Sequence, residues 1–167
     1  MCIRDRFSYP GPSACGSRFS VHPNGSLASP ASTWTYYNTS GVHGAALRPP
    51  SNAFQNIYSA DLTTDTIWTH VVDPSDGDVI PYIVDLSNQF DAPMRKKVAD
   101  GSHPRHMIAH PGGGRVYVIM EASNQVVEFR MAEHTGWVSD ELGRWNLIPE
   151  GTYDYILPSH CSNPLFG

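Results

Sequence analysis

Two stretches of this chain carry the same parts in the same order, and that repeat limits the possible folds more than any other feature. Leu47-Arg48-Pro49, Asn56-Ile57-Tyr58-Ser59-Ala60, Asp65, Ile67-Trp68-Thr69-His70 and Asp73-Pro74-Ser75-Asp76-Gly77 form the first copy. Ala109-His110-Pro111, Arg115-Val116-Tyr117-Val118-Ile119, Asn124, Val126-Val127-Glu128-Phe129 and Glu133-His134-Thr135-Gly136 form the second. Tyr58 to Tyr117 and Gly77 to Gly136 are each 59 residues, and a third hairpin, Phe19 to Gly25, places its glycine 52 residues before Gly77. The apolar runs are short, rich in Val, Ile, Tyr, Phe and Trp, and bounded by Pro, Gly, Asn and Asp, which is strand chemistry with turn punctuation. A period of 50 to 60 residues holding about four strands is the pattern of a propeller blade. The expected fold is therefore all-β, a fragment of about three blades of a β-propeller.

Composition agrees with that fold and removes several functions. Fourteen Gly and fourteen Pro in 167 residues are dispersed without a collagen-like period. Eleven basic residues against sixteen acidic ones give a net charge of −5, so the basic footprint of a nucleic-acid binder is missing. No apolar run is long enough to cross a bilayer and none reads as a secretory signal, so a soluble protein with no membrane partner is expected, and a cytoplasmic location is expected from cysteines read as reduced thiols. Met1 to Arg6 match the translation of a transposase sequencing adapter and are read as not native, with the partial propeller running from 7 to 167. Without Cys2, the cysteines are Cys15 and Cys161, and they lack zinc or redox-pair spacing. The sequons at Asn24 and Asn38 matter only in a secreted protein. The segment 84–100, with Arg95-Lys96-Lys97, breaks the repeat and is expected to be a loop between blades with a solvated charged face.

The repeat also nominates a site. His43 lies six residues before Pro49 and Arg105 six residues before Pro111, so they occupy equivalent places at the start of the innermost strand of neighbouring blades. Such residues point into one channel; capping the strands is their purely structural role. Gly41 and Gly44 flank the histidine and would let a ligand approach the backbone. Glu121 ends the apolar run from Val116 to Met120, where a carboxyl group partly desolvated beside Arg105 would suit proton delivery. The other reading of Glu121 is an ordinary turn residue. His103, His106 and His110 raise a metal site, but on a strand His106 and His110 stand ~13 Å apart, too far to share an ion. Trp34, Trp68, Trp137 and Trp145 are read as core and interblade packing. No nucleophile elbow, phosphate loop or dinucleotide fingerprint occurs.

Gly41-Val42-His43-Gly44, Tyr58-Ser59-Ala60-Asp61-Leu62-Thr63, Trp68-Thr69-His70, His103-Pro104-Arg105, His110-Pro111 and Met120-Glu121-Ala122-Ser123-Asn124 together resemble the fungal carboxy-cis,cis-muconate cyclases. The resemblance spans about Phe19 to Pro149. It implies a seven-bladed propeller within a wider lactonase-like group that includes bacterial 6-phosphogluconolactonases. It further implies a cofactor-free isomerase of aromatic catabolism, in the protocatechuate branch of the β-ketoadipate pathway, acting on a small anionic tricarboxylate. A carboxylate of 3-carboxy-cis,cis-muconate adds to a double bond, the adjacent carbon takes a proton, and a lactone forms. The family's site is a His, two Arg and a Glu; the resemblance assigns His43, Arg105 and Glu121, with the remaining Arg expected beyond Gly167. Arg105 would bind a substrate carboxylate, and His43 or Glu121 would supply the proton. The alternatives are a 6-phosphogluconolactonase-like hydrolase and a non-catalytic propeller that binds partners on its rim.

Overall fold

The computed structural model describes residues 2–3, 15–49, 55–73, 75–79 and 94–149. They form strands β1 (Cys2–Ile3), β2 (Cys15–Val21), β3 (Leu27–Thr35), β4 (Val42–Leu47), β5 (Gln55–Asp61) and β6 (Thr66–Val72). After these come β7 (Met94–Lys97), β8 (Pro104–Ala109), β9 (Arg115–Met120), β10 (Gln125–Met131) and β11 (Val138–Asn146). Three antiparallel sheets result, in the orders β1-β2-β3, β4-β5-β6-β7 and β8-β9-β10-β11, with no helix among the described residues. None of them therefore contains a helix long and apolar enough to cross a membrane. The second and third sheets are complete four-stranded meanders, each following its sequence order. The fold is thus the expected all-β propeller fragment, one incomplete blade followed by two full ones.

Matching turns give the repeat its conformational basis. Asp65 and Asn124, 59 positions apart, both adopt left-handed backbone (φ 47° and 51°) between the second and third strands of their blades. Asp and Asn are the side-chain-bearing residues that tolerate this region best. Gly77 and Gly136 repeat in the same way after the third strand, at φ 74° and 71°.

Burial follows the position of each blade. In β5 six of seven residues are buried, because the middle blade is covered on both faces. In β9 burial alternates, with Val116, Val118 and Met120 turned inward, because among the described residues a neighbour covers one face only. Tyr58 and Ile67 of the middle blade pack into one cluster with Val116, Val118, Met120, Val127, Phe129 and Met131 of the next. Each such fully buried side chain contributes roughly 1.5–3 kcal/mol. Directional bonds fix the register of this contact. The Tyr58 hydroxyl donates to the Gly136 carbonyl at 2.7 Å, Asn56 Nδ2 to the Thr135 carbonyl at 3.2 Å, and Arg48 to the Glu133 carbonyl at 3.1 Å. A methyl group on Gly136 would collide with the Asn56 and Arg48 side chains, so the glycine serves both its turn and this contact.

Three expectations need correction or delimitation. Residues 94–97 are not loop: they form β7, the outer strand paired with β6, and Arg95 lies over the rings of Tyr37 and Trp68 at 5.1 and 5.9 Å. Four residues with three positive charges suit an exposed sheet edge, while 80–93 lie outside the described residues. Trp34 and Trp68 are core, as expected, and Trp137 is half-buried, but Trp145 is 51% exposed. Trp145 follows Gly136 by nine residues, as Trp34 follows Gly25. Trp34 is covered by the blade after it; a sheet covering Trp145 in the same way is not among the described residues. Of residues 1–6 only Cys2 and Ile3 are described, paired with Phe19 and Arg18. Cys15 is a free thiol, and Cys161 lies outside the described residues.

The junction between the first two blades contains His70, stacked at 6.4 Å on Trp68 and set edge-on to Tyr36. Burial pushes its pKa down to about 4. The folded state therefore binds this proton more weakly than the unfolded chain, whose histidine titrates near 6.5. His70 contributes stability above about pH 6.5 and loses it as the pH falls toward 4, a difference of roughly 3 kcal/mol. Urea unfolding at pH 7 and pH 4.5 should show this loss, and His70→Phe, which keeps a ring but takes no proton, should flatten that part of the profile.

Candidate active site

The three residues singled out in the sequence come together at one end of the two complete blades. The pairing of β4 with β5 slips between Val42 and Gly44, and that of β8 with β9 slips between Pro104 and His106. His43 and Arg105 are therefore the bulged residues at equivalent places. A bulge re-aims a side chain out of the regular alternation, and here it sends both into the space between the inner strands. Arg105 Nε donates to His43 Nε2 at 3.0 Å, and Arg105 Nη1 donates to Glu121 Oε1 at 2.6 Å. The result is a continuous row, imidazole to guanidinium to carboxylate, drawn from two blades.

Gly44 makes this approach possible, in a different way from the ligand access expected for it. Its missing side chain leaves room for a neighbouring strand: a Cβ there would overlap the Arg105 carbonyl oxygen and touch His106 Cα. Gly41 has a related role, since a Cβ would press on Thr63. The start of β4 is anchored by Asp61, which is fully buried and accepts from the Gly41 N–H at 2.9 Å and the Trp68 indole at 3.0 Å. Burial pushes the Asp61 carboxyl up, but hydrogen bonds, among them those from Thr64, Trp68 and Gly41, outweigh it and hold the group below the usual carboxylate range. The Asp61 and Trp68 motifs are thus parts of one anchor under His43.

Electrostatics define the resting state. Burial lowers the pKa of His43, the positive charge of Arg105 and the neighbouring His106 lower it further, and Glu121 with a backbone hydrogen bond opposes them. His43 is accordingly neutral at pH 7, with Nε2 accepting from Arg105 and the hydrogen on Nδ1. The side chain of Glu121 is 44% exposed and that of Arg105 40%, so they form a partly solvated ion pair. Arg105 Nη2 makes no hydrogen bond among the described residues, leaving donors for an incoming anion.

The sequence missed the role of His106. Its ring stands edge-on to His43, centroids 4.6 Å apart at 88°, and it occupies the position equivalent to Gly44. His110 sits beyond the far end of β8, where its Nδ1 accepts from the Gly112 N–H at 2.9 Å. The two histidines thus serve different ends of the strand, and no group of three or more metal-binding side chains occurs among the described residues.

Residues 16–156 match the family model described as lactonase, 7-bladed beta-propeller. The chain is 33% identical over 139 residues to the carboxy-cis,cis-muconate cyclase of Neurospora crassa, a match covering 83% of this chain and 34% of that protein. It therefore spans about a third of the length of that curated relative. Among solved structures it is similar to a periplasmic gluconolactonase from Pseudomonas aeruginosa, with a TM-score of 0.63, 22% identity, and coverage of 89% of this chain and 40% of the other. A putative 6-phosphogluconolactonase from Bacteroides uniformis matches with a TM-score of 0.60 at 18% identity, covering 80% and 38% of the two chains. At these identities the solved structures speak for the fold alone.

The charge arrangement has a direct readout in the titration of His43, followed by NMR of the imidazole. It should titrate below 6.5 in the unmodified chain, move up in Arg105→Ala, and move further down in Glu121→Gln. An unchanged value in both variants would contradict the row described above.

Proposed function

This chain belongs to the lactonase family of seven-bladed β-propellers, and from that premise we propose that it is part of a carboxy-cis,cis-muconate cyclase-like isomerase acting on a small anionic tricarboxylate. The observation that carries the reading is the hydrogen-bonded row of His43, Arg105 and Glu121 at the shared end of two blades. Similarity to the Neurospora crassa cyclase supports the choice of substrate.

On this reading the substrate presents a carboxylate to the free edge of Arg105, and Glu121 gives way because it lies on an exposed turn. The guanidinium is planar and charged at every accessible pH, so it matches a carboxylate that gains negative charge as the lactone closes. Closure forms a bond from one carboxylate oxygen to an alkene carbon, and the electron pair moves to the adjacent carbon and its conjugated carboxylate. That carbon then takes a proton. His43 is the donor we assign: Arg105 helps hold it neutral at rest, and the entry of carboxylates opposes that effect in the same sense as Glu121 does. The histidine then takes a proton from solvent and passes it on. Glu121 keeps Arg105 in place between turnovers. No metal or cofactor is required by these steps.

Because the chain spans 34% of the cyclase, the test uses a polypeptide containing the whole propeller with these residues embedded. It should convert 3-carboxy-cis,cis-muconate to its lactone. Arg105→Ala should lower kcat/KM by about 10²- to 10³-fold, and Arg105→Lys should recover little of it, since an ammonium cannot reproduce the two-point contact. Hydrolysis of 6-phosphogluconolactone with muconate untouched would replace this reading with the hydrolase.

A further inference from the structure

We propose that Asp65, on the middle blade, is the positioning residue for the Arg105–Glu121 pair on the next blade. This rests on the reading of Arg105 as the anion-binding group. Asp65 is 8% exposed and sits at the left-handed turn between β5 and β6. Its two carboxylate oxygens are used separately: Oδ2 accepts from the Gly101 N–H and Oδ1 from the His103 N–H, each at 2.8 Å. Its own carbonyl accepts from the Val98 N–H at 2.9 Å. Three contacts thus hold the connection between β7 and β8, the segment that delivers the chain to Arg105.

The same segment continues the constraint to Glu121. The His103 carbonyl accepts from the Glu121 N–H at 2.9 Å and the Ser102 carbonyl from the Ala122 N–H at 3.2 Å. His103 has φ 54°, a left-handed conformation that a residue with a side chain adopts at a cost. The bond from its N–H to Asp65 holds it there, one residue before Pro104 and two before Arg105. A carboxylate can accept at both oxygens, whereas an asparagine amide presents one oxygen and one donor. The negative charge of Asp65 is therefore used as a two-point backbone clamp.

The test is hydrogen exchange of the Arg105 Nε–H in a polypeptide containing the whole propeller with these residues embedded, its NMR signal assigned by loss in Arg105→Lys. In the unmodified chain the bond to His43 should protect it. Asp65→Asn should speed its exchange by about tenfold or more, while Asp73→Asn leaves it unchanged. Asp73 accepts from the Ser75 N–H in the loop at the opposite end of the blade, so it controls for a general effect of losing a turn carboxylate. If Asp65→Asn does not fold, Asp65→Glu decides on the same signal, because it keeps both acceptors one methylene out of place and should give an intermediate rate. Unchanged Arg105 exchange in a folded Asp65 variant overturns the clamp. Titration with propane-1,2,3-tricarboxylate separates the two ideas. Binding that needs Arg105, together with normal Arg105 exchange in Asp65→Asn, overturns the clamp alone. Faster exchange in Asp65→Asn, without tricarboxylate binding to the unmodified whole propeller, supports the clamp and removes the anion-binding reading.

Discussion

The close approach of two inner strands is the constraint on which the rest depends. β4 and β8 belong to different sheets, so no backbone ladder joins them, yet Gly44 lies against the Arg105 carbonyl. Van der Waals exclusion at that point decides how near His43 and Arg105 come, and a single methyl group would hold the strands apart. The bulges then convert proximity into contact. Without them, His43 and Arg105 would follow the regular alternation of a pleated strand; with them, both turn toward the same space. A hydrogen bond of 3.0 Å between residues 62 positions apart is the consequence.

The opposite end of the blades supplies the alignment that this contact needs. Tyr58, Asn56 and Arg48 bind the loop around Gly136, and the apolar side chains between them exclude water. Hydrophobic burial gives most of the cohesion between blades but little direction. The bonds to the loop carbonyls supply direction, because each fails if one sheet slides along the other. Cohesion and register therefore come from different residues, and the site lies at the far end of a contact already locked in place.

Much of this was legible in the residues, for physical reasons that differ from part to part. Tyr58 and Tyr117, Gly77 and Gly136, and Asp65 and Asn124 recur because each has a steric or conformational task that few other residues perform, so spacing alone revealed the blades. His43 and Arg105 were found by the same logic. β7 was not, since an edge strand has one neighbour to satisfy and its charged Arg95-Lys96-Lys97 looks like a solvated loop. Trp145 is exposed among the described residues: a tryptophan signals a surface to be covered, while covering depends on a partner elsewhere. Gly44, His106 and Asp65 act across the gap between sheets, and no local pattern shows what lies there. Glu121 was placed correctly beside Arg105, but its exposure depends on how far the turn projects, which one strand of sequence does not encode.

The charge of the row carries the last step. Arg105 is already neutralised by Glu121, and His43 is held neutral, so this row has almost no net charge at rest. The chain around it is acidic, at −5. On the proposed function, a tricarboxylate gains little long-range attraction from this row, and water and salt screen what remains. Its binding to the row would then come from short-range replacement, one carboxylate exchanged for another on the same guanidinium. That exchange favours an anion whose shape reaches Arg105 and His43 together over one that merely carries charge. It also leaves the other two carboxylates to be met by cations beyond those of this row. Selectivity, on this account, lies in the fixed spacing of two side chains set by a glycine and two bulges, and the surplus charge of the substrate is a separate demand that the same pair of strands does not meet.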